Sequence, residues 1–114
     1  MRGIEAIPDY DEQAQSLRDR VQPMLPDPLP APLPACVSML DAARQYYDDT
    51  EGIYASSTKT MVATRSKDLA DCQTHTSPAA AACVAVLMTK REGEFPWVLD
   101  QCSRAFPRSG TQGS

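Results

Sequence analysis

Apolar residues along the chain recur at helical spacing rather than in strict alternation. Residues 8–22, PDYDEQAQSLRDRVQ, carry Tyr10, Ala14, Leu17 and Val21 on one narrow stripe. Asp9 stands at the cap position with Glu12 three residues on, and Pro23 ends the pattern, so an amphipathic helix is predicted there. Its other face is highly charged, and so narrow a stripe is expected to dock on something larger. A second stripe, Cys36, Leu40, Ala43 and Tyr47, runs through CVSMLDAARQYYDD and ends at Thr50-Glu51-Gly52. A third, poorer one places Val62, Leu69 and Cys72 on a helix over roughly 57–73. Ser77 and Pro78 are a cap and first position for PAAAACVAVLMTKR. Gly93 and Pro96 then interrupt the chain, and Phe95, Val98, Leu99, Cys102 and Phe106 form the cleanest stripe of all. No run of alternating β-branched residues is long enough for a convincing strand.

Between the first two stripes lies QPMLPDPLPAPLPA, with prolines at 23, 26, 28, 30, 32 and 34. Proline lacks an amide N–H and fixes φ, so this density favours extended polyproline II with a reach of about 40 Å. It is read as a strap or spacer rather than a ligand for a proline-recognising domain, because no basic anchor adjoins the PxxP-like spacing. The expected organisation is therefore an N-terminal segment with its helix (1–22), a Pro-rich extended linker (23–35), a cysteine-containing helical domain (36–106) and a tail (107–114). The fold class is all-α: a small disulfide-stapled bundle of helical hairpins behind an amphipathic helix and a strap.

A chain of 114 residues has little core to spare, and aromatic residues make up only 6% of it. Four cysteines fall on the apolar stripes of four helices. With consecutive helices antiparallel, all four come to one end of the bundle, which favours two disulfides. Cys72 and Cys83 flank a tight turn and are expected to pair, leaving Cys36 with Cys102. Two alternatives stay open at this point: four reduced thiols, or a Cys₃His zinc site of Cys72, His75, Cys83 and Cys102, since Cys72-Gln-Thr-His75 is a CxxH pair.

The net charge of −4 works against nucleic acid or an anionic bilayer as principal partner, and the longest apolar run, Ala79 to Met88, is too short to span a membrane. The N-terminus has the features of neither a secretory signal nor a transit peptide. Catalytic chemistry has little to work with. There is one histidine, no phosphate-cradling Gly-rich loop and no GxSxG elbow, and Cys102 on an apolar face is poorly placed to be a thiolate. The chain is expected not to be an enzyme and to need no cofactor.

Helix-borne cysteines without a transit peptide or catalytic set resemble the coiled-coil-helix-coiled-coil-helix (CHCH-like) proteins of the mitochondrial intermembrane space. The stretch Lys90-Arg91 to Cys102, with Phe95, Pro96 and Leu99, is similar to a basic, FP-containing segment leading into a cysteine in an accessory subunit of respiratory complex I. It covers about a tenth of the chain. The spacings here, C-x₃₅-C, C-x₁₀-C and C-x₁₈-C, differ from the paired C-x₉-C of that family. The resemblance implies a non-catalytic accessory subunit of a large, respiratory membrane assembly. It would clamp neighbouring protein subunits from the intermembrane-space side, peripheral to the inner membrane through its partners. The other readings are a secreted or periplasmic disulfide-stapled binding protein and a cytosolic zinc-bound adaptor. Trp97, off the core stripe, is the leading candidate contact for a partner, with Tyr10, Leu17 and Val21 of the first helix beside it.

Overall fold

A computed structural model of the chain describes residues 10–108. Six α-helices are present among them: α1 (Tyr10–Val21), α2 (Pro32–Glu51), α3 (Ser56–Ala63), α4 (Arg65–His75), α5 (Pro78–Thr89) and α6 (Phe95–Ala105), with a single 3₁₀ turn at Gln22–Met24. The described residues contain no strand. The all-α, doubly stapled architecture expected from the stripes is therefore the one observed.

Helix α5 sits at the centre. It is apolar on every side, and a helix of that kind is stable only when surrounded. Ala80, Ala81, Cys83, Val84, Leu87 and Met88 are all buried. Against it pack α2, through Ala35, Met39 and Ala43, and α6, through Val98 and Cys102. Its start is the one read from sequence: Ser77 Oγ accepts from the Ala80 amide at 3.0 Å, and Pro78 follows. Its end is a Schellman arrangement, with Arg91 N donating to Met88 O and Glu92 N to Leu87 O. Arg91 takes the left-handed φ of 57° that glycine usually supplies there. Helix α2 stops at Gly52, whose φ of 100° a side chain would resist even though no atom crowds the position.

Two boundaries and one packing partner depart from the sequence reading. The predicted helix over 57–73 is broken at Thr64 (φ −100°, ψ 7°) into α3 and α4. Thr60, Val62 and Thr64 are β-branched and weaken the helix locally. The Thr64 hydroxyl lies 2.9 Å from the Thr60 carbonyl and 2.7 Å from the Asp68 carboxylate, an alternative to regular helix bonding. The second boundary is the strap: Pro23 lies in the 3₁₀ turn and Pro32 and Pro34 open α2, so the extended part is confined to 25–31. Proline is tolerated in a first turn because those amides have no helical acceptor anyway. The packing departure concerns α1, which does not await an outside partner but packs on α6 of its own chain. Ala14 and Val21 enter the core. Arg18 donates to the Ala105 carbonyl at 2.9 Å, with its guanidinium 5.0 Å from the centre of the Phe106 ring. Arg20 forms a fork with Glu92 at 3.0 and 2.8 Å, and Glu92 raises the pKa of the Arg20 guanidinium further.

The cysteines are all disulfide-bonded, but in pairs other than those expected. Cys36 bonds Cys72, joining α2 to α4, and Cys83 bonds Cys102, joining α5 to α6. The expected Cys72–Cys83 and Cys36–Cys102 bridges required α4 and α5 to pack as a hairpin across the Ser77-Pro78 turn. Instead α4 packs on α2, and α5 packs on α2 and α6. A short connection brings two helix ends together without making their faces meet. By chain entropy the loops closed by 36–72 and 83–102 correspond to about 4 and about 3 kcal/mol.

Candidate functional site: the Trp97 face

The stretch Glu92-Gly93-Glu94-Phe95-Pro96-Trp97 turns the chain from α5 into α6. The turn is anchored from α2, where the buried Tyr47 hydroxyl accepts the Phe95 amide at 3.0 Å. Burial pushes the Tyr47 phenol pKa up, with the Phe95 amide opposing that shift. Its ring also meets Tyr46 edge-on at 5.0 Å. Pro96 occupies the first turn of α6, and the helix period then separates its residues cleanly. Val98 and Cys102 go fully inside, Phe95 and Leu99 are half-buried against the core, and Trp97 is 56% exposed.

Trp97 is nonetheless held. A methyl group added at Gly93 would lie 2.9 Å from Cε3 of the indole and 3.3 Å from Cγ2 of Val98. One edge of the ring therefore rests where only a glycine leaves room. Beside it runs a groove of about 520 Å³ between α1 and α6, lined by Gln13, Ser16, Leu17 and Gln101, with Glu12 and Arg20 on its border. The exposed Arg20–Glu92 fork links α1 to the turn that carries Gly93, beside the buried Ala14 and Val21 that seat α1 in the core.

Of the four residues read as partner contacts, the structure brings Trp97 and Leu17 to this groove. Val21 does not belong there: it is fully buried in the chain's own core. The first helix found its larger body within the chain, and the stripe that was to meet a partner was spent on α6. Tyr10 begins α1, but its side chain lies outside the described residues.

The residues of the zinc alternative are not assembled. Cys72 and His75 border one hollow of about 370 Å³, alongside Met39, Met61, Phe95 and Leu99. Cys83 and Cys102 are bonded to each other, and Cys72 is bonded to Cys36. Among the described residues no group of three or more His, Cys, Asp or Glu side chains could hold a metal ion.

Four residues of the Trp97 face have roles that the apolar stripes do not show: Gly93 as the seat of the ring, Tyr47 as anchor of the turn, and Arg20 with Glu92 as the clasp. Only the last left a sequence signal, in the opposite charges of RDR at 18–20 and EGE at 92–94. The chain matches no known protein family, no curated protein and no solved structure.

Proposed function

We propose that the chain is a non-catalytic protein-binding subunit of an oxidising compartment, and that it seats on its partner as one folded body through the Trp97 face. The observation that carries the reading is the state of Trp97. The only tryptophan in the chain is kept more than half exposed on a glycine seat beside the groove between α1 and α6. Tryptophan in that situation is the side chain most enriched among interface hot spots. The chain charge of −4 favours a basic surface on the partner. The non-catalytic part of the reading is supported by the disulfides, because His75 has no thiol left to activate.

Joined to the resemblance of the Lys90–Cys102 stretch, this reading makes the chain an accessory subunit of a respiratory assembly on the intermembrane-space side. A second reading, a secreted or periplasmic binding protein, is favoured by a specific observation. The helix and strap that were to run along several neighbours fold back on their own chain, leaving a self-contained module.

Alkylation of protein from its native source without reductant tests the compartment. No cysteine should be labelled, and labelling of all four contradicts an oxidising location. Trp97→Ala tests the face: partner affinity should fall roughly thirty-fold or more, on the scale of a 2 kcal/mol hot spot, with the melting temperature of the isolated chain unchanged. Unchanged affinity with unchanged melting removes the Trp97 face from the account.

A further inference from the structure

The groove between the proline strap and α5 has no part in the Trp97 reading. It is an open groove of about 560 Å³, within the roughly 300–1,000 Å³ of small-molecule clefts. It exists because its α5 wall is built from small residues: Ala82, Ala85, Val86 and Thr89 recur at helical spacing along roughly 11 Å of helix. The facing wall is Met24, Pro26 and Pro30. The prolines fix the strap's φ angles, and their rings cannot extend to fill the space the alanines leave.

Among the described residues lining the groove, Lys90, next to Thr89, is the one charged side chain, while Asp27 stands exposed in the strap between Pro26 and Pro28. The cations near Lys90 are neutralised: Arg91 pairs with Asp49 at 2.5 Å and Arg20 with Glu92 at 2.8 Å. Lys90 has no acidic partner among the described residues. In a chain of net charge −4, an apolar slot with one unneutralised amine at its edge matches an anionic head on an aliphatic tail.

We propose that this groove binds a free fatty acid of medium chain length, its tail lying between the strap and α5 and its carboxylate on the Lys90 ammonium. The occupant is a single amphiphile and not a bilayer, because the net negative charge opposes an anionic membrane surface and the slot is closed on one side by the strap.

Isothermal titration of the full, oxidised chain with dodecanoate below its micelle concentration tests this. One saturable site is expected. Dodecanol and dodecyltrimethylammonium should each bind at least roughly ten-fold more weakly, the factor that a charge-assisted contact supplies. Lys90→Glu should weaken dodecanoate by a similar factor and spare the cationic amphiphile. Ala85→Phe should abolish dodecanoate binding by filling the slot. Thr89→Trp, at an exposed position on the rim, should do the same if Ala85→Phe disturbs folding. The proposal is overturned by an absence of saturable heat, by equal affinity for all three head groups, by indifference to Lys90→Glu, or by binding to phosphatidylglycerol vesicles without binding to monomeric dodecanoate.

Discussion

Gly93 and Tyr47 decide more than their chemistry advertises. Gly93→Ala places a methyl 2.9 Å from the indole, and a ring cannot yield as a flexible chain end would. Trp97 must therefore rotate off its seat. The expected result is a shift of the tryptophan emission and weakened partner binding with little loss of stability, checked by fluorescence and thermal melting of the same sample; an unshifted spectrum would show that the seat is not what orients the ring. Tyr47→Phe leaves the Phe95 amide without its acceptor, at a cost of about 1–3 kcal/mol if that amide stays buried. Tyr47 also sets an alkaline limit. Its folded pKa is raised above the ordinary 10.0, so in the unfolded chain the phenol ionises first. Its contribution is therefore complete below pH ~10 and is lost as pH rises through the raised folded value. Denaturant melts should lose stability across that window in the native sequence and less so in Tyr47→Phe.

At the scale of elements, the two disulfides do different work. Of the α3–α4 arm only Thr58 and Cys72 are buried, with Met61 and Leu69 partly so. Apolar contact holds it weakly, and the Cys36–Cys72 bridge is its main tether. Replacing that pair by alanine should cost about 2–5 kcal/mol and chiefly speed amide exchange over 56–75, while α5 and α6 stay protected. Replacing Cys83 and Cys102, both fully buried at the centre, should instead destabilise the whole domain. Equal exchange profiles in the two variants would contradict the division between arm and body. The same comparison explains what could be read from sequence. The α6 stripe was legible because every member was on one side, and Ser77-Pro78 because its cap is local. The pairing was not, because it depends on which helix is central. The clue was α5, apolar all round and so necessarily touched by more than one neighbour. Cys83 therefore had α6 within reach as readily as α4. Val21 was misread for a related reason: a narrow stripe says that a helix docks, without saying on which chain.

For the whole molecule, the picture is a helical body closed by its own N-terminal helix, with two exposed aromatic side chains outside the core among the described residues, Trp97 on α6 and Tyr54 between α2 and α3. No described helix is long and apolar enough to cross a membrane. The reach once expected of the strap is absent, since only 25–31 is extended and α1 returns to α6, so association is proposed to happen through a preformed surface rather than by wrapping. Preformed surfaces bind without a large ordering cost. The central claim is most directly tested by site-specific photocrosslinking in the native host, with a benzophenone side chain at position 97 and, as control, at the exposed Lys59. The account predicts one discrete protein adduct from position 97 and none from position 59. The same adducts from both positions, or none from position 97, would contradict it.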